Sequence, residues 1–270
     1  MIPKTIHYCW LSDDPIPTEA RECMASWRKH LPDWTIKCWN MHNFDVHSIP
    51  FVEEAVKARK WAFASDYIRL FALYTEGGVY LDTDVLVRKP MDFVLNNRVF
   101  SAIESCPHLI EQIERENLID KNGDKRNPDD LIHGLQIQAA IIGSEKGHPF
   151  IKECMDYYKT RHFMVADDGI PIEQEISPIV YAKIAENYGF KYLNREQKLN
   201  EGIKLYSVEM FCPQPYLINK EQAIAVHCCN ASWRTNQSQV RHIINNVKTW
   251  IKVIINKLGL RSERAIDELK

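Results

Sequence analysis

The sequence predicts an α/β fold of the nucleotide-binding type, and three observations carry that expectation. An apolar run, "TIHYCW" at 5–10, is followed by a helical pattern and then by a second run, "WTIKCW" at 34–39, with short connections. Strand, helix and strand in that order are the signature of a βαβ unit with a parallel sheet. Further on, "GGVYLDTDV" at 77–85 takes a third apolar run and ends it in two carboxylates one residue apart. Open α/β sheets bind ligands beyond the carboxyl ends of their strands, so a site is expected there.

Each element has its own local reason. The first strand, Thr5 to Trp10, starts after Pro3 and stops before the turn-forming "SDDPIP". Pro17 suits a first helical turn, and Ala20, Cys23, Met24 and Trp27 then recur at helical spacing on one face until Pro32 ends the helix. From about Phe51 to Glu76 the pattern is helical again, as two consecutive helices, with Trp61, Ala64, Ile68, Phe71 and Leu73 supplying apolar positions. Gly77 is expected at the left-handed C-cap. "VYL" reads as a fully buried strand, and "VLVRKP" continues extended until Pro90 forbids further pairing.

The stretch 114–130, "ERENLIDKNGDKRNPDD", is charged and punctuated by Gly123 and Pro128, and reads as a loop or lid. "GLQIQAAIIGSEKGHPF" follows as a strand or buried segment, a turn and a helix start; "SPIVYAKIAENYGF" is a further helix closed by Gly189. The segment 237–270 carries an amphipathic basic helix whose apolar stripe is Ile243, Ile244, Val247, Trp250, Ile251, Ile254 and Leu258. Such a stripe packs on its own domain or lies at a membrane interface. The expected division is therefore a domain over 1–236 and a helical extension over 237–270.

Composition narrows the function classes. A formal net charge of -2, with Lys and Arg scattered, leaves no footprint for nucleic-acid binding. No window approaches the ~18 uninterrupted apolar residues of a membrane span. The 8 cysteines show no C-x-x-C pair and no zinc-like spacing, and no signal-like segment precedes "MIPKTIHYCW", so reduced thiols in a cytoplasmic protein are expected.

Side chains two apart in an extended chain point the same way, so Asp82 and Asp84 can present oxygens to one point. Two like charges so close repel, and a hard divalent cation, Mn²⁺ or Mg²⁺, is the simplest stabiliser. A cation there suggests a diphosphate ligand. The competing account is a polar turn after a strand, because the bare D-x-D tripeptide is a weak signal. Asp66 and Arg69, three apart, share a face of an otherwise apolar helix and could equally form an internal ion pair.

The stretch "WAFASDYIRLFALYTEGGVYLDTDV", 61–85, resembles the sugar-binding DXD segment of family 32 glycosyltransferases, of the glucosylating domains of large clostridial toxins and of outer-chain mannosyltransferases. "IPKTIHYCWLSDDPIPTEARECMASWRKHLPDWTIKCWN", "IIGSEKGHPF" and "AVHCCNASW" extend the resemblance over most of 1–233. The family usually shows a second His and a Gly where this chain has Cys228 and Ala231. The resemblance implies a type A glycosyltransferase fold, a Rossmann-like nucleotide-binding mixed sheet flanked by helices, here with a C-terminal helical extension.

It also implies roles. Asp82, Asp84 and His227 would hold the metal. Asp66 would bind ribose or sugar hydroxyls, and Arg69 would reach the phosphate or sugar as a rigid fork of donors. Trp10 would stack the base, Tyr8 would line the same pocket, and Ser232 and Trp233 would close over the diphosphate; core packing competes for Trp10 and Tyr8. Tyr80 is expected to pack beneath the site. The expected activity is metal-dependent, retaining transfer of a hexosyl or N-acetylhexosaminyl group from a nucleotide-diphosphate sugar to a glycan or lipid-linked glycan acceptor. Capsule, lipopolysaccharide or similar surface-polysaccharide synthesis is the expected setting, at the inner face of the plasma membrane. The alternatives are a nucleotidyltransferase, against which "WLSDDPIP" is acidic and lacks glycine, and a non-catalytic nucleotide-sugar binder.

Overall fold

The structure, a computed structural model, describes residues 1–163, 175–211 and 222–228. Strand β1 (Thr5–Cys9) leads into helix α1 (Thr18–His30), and β2 (Thr35–Trp39) returns to pair with β1 in parallel, Thr5 opposite Thr35. The predicted βαβ unit is therefore present. α1 buries Ala20, Cys23, Met24 and Trp27, the face its spacing defined, and carries Arg28, Lys29 and His30 in its last turn, where cations suit the helix dipole. β1 ends at Cys9, one residue short of expectation; Trp10 still donates its backbone N–H to Trp39 O at 2.9 Å.

Helices α2 (Pro50–Lys57) and α3 (Trp61–Glu76) follow in succession, and α3 runs into β3 (Gly78–Leu81), which pairs in parallel with β1. The double glycine makes that junction. Gly77 has φ 72° with ψ 179°, so it is not the left-handed cap expected but lies in a region that only glycine reaches, while its N–H still bonds Leu73 O. Gly78 has φ 116°, and a Cβ there would stand 2.7 Å from Thr5 O and 2.9 Å from His7 Nε2. His7 is fully buried beneath this turn. Its Nδ1 accepts from Trp39 Nε1 at 3.0 Å, so its Nε2 donates to Gly77 O at 2.8 Å and the ring is the neutral tautomer. Burial holds its pKa below the ordinary histidine value. Gly189, by contrast, is left-handed at φ 91°, ψ 19°, and closes its helical segment as expected.

The remaining strands are β4 (Val85–Val87), β5 (Val99–Ser105), β6 (Leu135–Ile137), β7 (Ile141–Ser144), β8 (Gln197–Lys198), β9 (Ile203–Tyr206) and β10 (Ala225–His227). Helices α4 (Pro107–Glu116), α5 (Pro149–Lys159), α6 (Ser177–Ala185) and α7 (Val208–Phe211) complete the described elements. The main sheet runs β2-β1-β3-β7-β5-β9-β8, with β6 on β5, and is mixed: β7 is antiparallel to both β3 and β5, while β5 and β9 are parallel. The mixed sheet flanked by helices is the architecture expected.

Two apolar clusters sandwich the sheet, one centred on α2, α3, α5 and α6, the other on α1, β4 and the Phe100, Tyr206 and Phe211 rings. "VLV" leaves the main sheet and forms a separate antiparallel pair with β10, His227 opposite Val85. The loop expected over 114–130 begins in the last turn of α4 and is held down, with the Tyr192 backbone N–H donating to Gly123 O at 2.9 Å and Lys191 paired with Asp124. Residues 1–228 form one compact unit. The proposed boundary at 236 and the C-terminal helix lie outside the described residues. No described cysteine forms a disulfide, and no described helix is long and apolar enough to cross a membrane.

Candidate active site

Asp82 stands directly after β3 and prolongs its ladder, its N–H bonding Ala140 O at 2.9 Å. The chain then turns, with Val85 N–H on Asp82 O at 3.0 Å, before β4 begins. Two side chains of α1 anchor β4: Trp27 Nε1 donates to Val85 O at 2.7 Å, and Ser26 Oγ accepts from Val87 N–H at 2.9 Å. β10 clasps the other edge, where Cys228 N–H bonds Asp84 O at 3.0 Å. These backbone ties place the His227 imidazole Nε2 3.3 Å from Asp84 Oδ1.

Asp82, Asp84 and His227 each offer one ligand atom, and the three atoms lie within 4.8 Å of one another. All three side chains are partly open, at 26%, 16% and 25% exposure, so a ligand can approach them. Two carboxylate oxygens and one imidazole nitrogen are a donor set that a divalent cation of Mn²⁺ type accepts, the oxygens being hard and the imidazole suited to transition metals.

Beneath this group lies a charged network inside α3. Arg69, 4% exposed, places Nη2 3.1 Å from Asp66 Oδ1, 3.3 Å from Ser65 Oγ and 3.5 Å from Asp82 Oδ1. Its guanidinium lies 4.8 Å over the Tyr80 ring, which is 2% exposed. Burial disfavours the Arg69 charge, but Asp82 and then Asp66 outweigh it and keep the guanidinium ionised. Burial pushes Asp66 up to about 6, with Arg69 and a hydrogen bond to Ser177 opposing it. Asp66 and Arg69 thus form the internal ion pair, and Arg69 also reaches Asp82.

Trp10 is half-buried, its Nε1 donating to Asp14 O at 2.8 Å, and it lines a cleft of about 160 Å³ with Leu11, Ile16, Cys38, Asn40 and His42. The cleft opens past the carboxyl ends of β1 and β2, and β1 is the strand that pairs with β3. The cleft lining does not include Tyr8. That ring packs edge-on against Trp27 at 5.9 Å, and burial together with its hydrogen bond to Cys38 lifts the phenol to about 12. Ser232 and Trp233 lie outside the described residues.

Sequence reasoning missed the groups that hold this site in place. Ser177, at the start of α6, bonds Asp66 and receives the Tyr158 hydroxyl at 3.4 Å; Tyr181 is fully buried beside Arg69. No local pattern marks them, because each meets α3 only through tertiary packing.

Residues 17–101 match the protein family described as a glycosyltransferase sugar-binding region containing a DXD motif. Inositol phosphoceramide mannosyltransferase 1 of Schizosaccharomyces pombe is 33% identical over 110 residues, covering 37% of this chain and 33% of the relative. The chain thus spans about a third of the length of that curated relative. Among solved structures, the galactosyltransferase LgtC with donor and acceptor sugar analogues is similar at 14% identity and TM-score 0.43, covering 86% of this chain and 90% of that one. Mouse xyloside xylosyltransferase 1 is similar at 11% identity and TM-score 0.44, covering 84% and 98%. The Asp82-Thr83-Asp84 triplet falls inside the segment that matches this glycosyltransferase sugar-binding family.

Proposed function

We propose that this protein is a metal-dependent glycosyltransferase that moves a sugar from a nucleotide-diphosphate donor to a hydroxyl of a glycan acceptor. The observation that carries the reading is the meeting of Asp82, Asp84 and His227 within 4.8 Å at the carboxyl end of β3, one strand from the Trp10 cleft. A cation held by these three residues would neutralise the donor's diphosphate and stabilise the charge on the departing nucleoside diphosphate. The mixed donor set favours Mn²⁺ over Mg²⁺, which prefers oxygen ligands throughout.

The protein's own groups supply the rest. The half-buried Trp10 indole offers a flat apolar face for a base. Arg69 stays charged, and its tie to Asp82 fixes that carboxylate's rotamer, so the oxygens facing the ligand are positioned before it arrives. Asp66 offers a carboxylate at the floor of the site for a ribose or sugar hydroxyl. Ser232 and Trp233 complete the donor pocket in this proposal. Retention of anomeric configuration, and a role in capsule, lipopolysaccharide or similar surface-glycan synthesis in the cytoplasm near the inner membrane, are the outcomes that the family resemblance supports. The amphipathic segment 237–270 would then hold the enzyme near a lipid-linked acceptor through Trp250 and its Lys and Arg residues.

The test is incubation with Mn²⁺ and a panel of nucleotide sugars, read as release of nucleoside diphosphate and free sugar. Hydrolysis of one donor, lost on chelation, is expected. Binding with no turnover of any nucleotide sugar would indicate a non-catalytic binder, and release of sugar 1-phosphate with nucleoside triphosphate when pyrophosphate is added a nucleotidyltransferase.

A further inference from the structure

The sheet brings a fourth acidic side chain to the same edge as the DXD turn. β3 and β5 are both antiparallel to β7, so they run in the same direction and their carboxyl ends lie together. Gly143 of β7 pairs with Val79 on one side and Phe100 on the other, which sets Phe100 level with Val79. Asp82 stands directly after the last residue of β3, and Glu104 is the next-to-last residue of β5, where it pairs with Gln136 of β6, so both lie at the carboxyl edge of the sheet.

The face is settled as well. Phe100, Ala102 and Glu104 alternate onto one side of β5, and Phe100 and Ala102 belong to the cluster that contains Val85, Val87 and Ala225. Glu104 therefore stands on the side of the sheet that carries β4 and β10, and its carboxyl group feels the charge of His227. It is half-buried, and among the described residues its carboxylate has no hydrogen bond or ion pair. Burial raises its pKa above the ordinary glutamate value. A carboxylate partly withdrawn from water without a protein partner is costly unless a ligand supplies donors.

We propose that Glu104 is a sugar-binding residue of this site, its carboxylate accepting a hydrogen bond from a hydroxyl of a sugar held between it and the Asp82–Asp84–His227 group. A hydroxyl is the group that both possible occupants, donor sugar and acceptor sugar, present. The proposal rests on the glycosyltransferase reading and deepens it.

Glu104→Gln keeps the shape and removes the charge, and three measurements decide the matter. Affinity for Mn²⁺ with the plain nucleoside diphosphate should stay within about twofold, since that ligand carries no sugar. If the hydroxyl belongs to the donor, the KM for nucleotide sugar in the hydrolysis assay should rise about tenfold or more, as loss of one charge-assisted hydrogen bond implies. If it belongs to the acceptor, the ratio of transfer onto methyl glycosides to hydrolysis should fall by a similar factor. Parallel loss of nucleoside-diphosphate affinity, or no change in either sugar-dependent measure, would overturn the assignment. Should the Gln variant melt early, Glu104→Asp is judged by the same two measures. A wild-type protein that binds Mn²⁺ and nucleoside diphosphate but turns over no nucleotide sugar would sink the glycosyltransferase reading, and the role of Glu104 with it; a wild type that hydrolyses donor beside an unaffected variant sinks only the latter.

Discussion

Asp84 and His227 stand side by side, Oδ1 to Nε2 at 3.3 Å, because β10 lies against β4 with His227 opposite Val85. A residue near the far end of the described chain thereby joins an acidic turn that belongs to the first third of the sequence. The pairing is a backbone device, so either side chain can be changed without removing the hydrogen bonds that place it.

Asp84→Asn should accordingly abolish donor hydrolysis while the melting temperature moves little, since the amide keeps the shape and loses the charge that a cation needs. Activity kept within about tenfold, only ~1.4 kcal/mol of transition-state stabilisation, would remove Asp84 from the metal group. Manganese titration followed by electron paramagnetic resonance gives an independent reading, with a weaker bound signal expected for both Asp84→Asn and His227→Ala.

Trp10→Ala should raise the KM for the donor more than it lowers kcat. Stacking on a base is remote from the bond that breaks and contributes mainly uniform binding. An unchanged donor KM in the folded variant would confine Trp10 to its hydrogen bond with Asp14 O and the packing of the β1 end.

Arg69→Met should destabilise the fold by about 3–5 kcal/mol in urea denaturation, because it leaves Asp66 and Asp82 uncompensated near the floor of the site. Arg69→Met with Asp66→Asn should recover a good part of that loss. Additive losses in the double variant would show that the pair is not coupled.

The pH dependence of stability follows from Asp66. Its folded pKa of about 6 lies above the ordinary value of 3.8, so the native state holds the proton longer than the unfolded chain does. The contribution to stability is fully present below pH ~4 and is lost as pH rises through about 6, a change of about 3 kcal/mol. Buried neutral His7 acts in the opposite sense, losing stability as pH falls. The difference in unfolding free energy between wild type and Asp66→Asn isolates the aspartate, and it should decline between pH 4 and 7. A flat difference would refute the raised pKa.

Gly78→Ala should lower the urea midpoint markedly, by more than the ~1 kcal/mol typical of a strain-free glycine exchange, since φ 116° excludes other L residues and the new methyl would meet Thr5 O. A neutral result would mean that the α3–β3 junction relaxes freely.

Much of this architecture was legible before any coordinates. The run of Thr5 to Cys9, the helical face of Ala20, Cys23, Met24 and Trp27, and the second run at 35–39 specify the parallel βαβ unit through local periodicity. "VYLDTD" announced a strand ending in carboxylates, and the resemblance of 61–85 and of "AVHCCNASW" to a known family implied that Asp66, Arg69 and His227 join it. The same local signals went astray where the backbone departs from the common cases: Gly77 was expected left-handed, and only the demand of turning from α3 directly into β3 put its ψ at 179°.

What the tertiary structure alone decided is who stands next to whom. That Trp27 and Ser26 grip β4, that Ser177 reaches Asp66, that Tyr8 packs on Trp27, and that Glu104 ends up at the same carboxyl edge of the sheet as Asp82 are all consequences of sheet order and packing. Periodicity reports which face of an element is apolar, within a few turns of chain. It carries no record of which strand will pair with which across the sequence, because that choice is made by the packing of whole elements against one another.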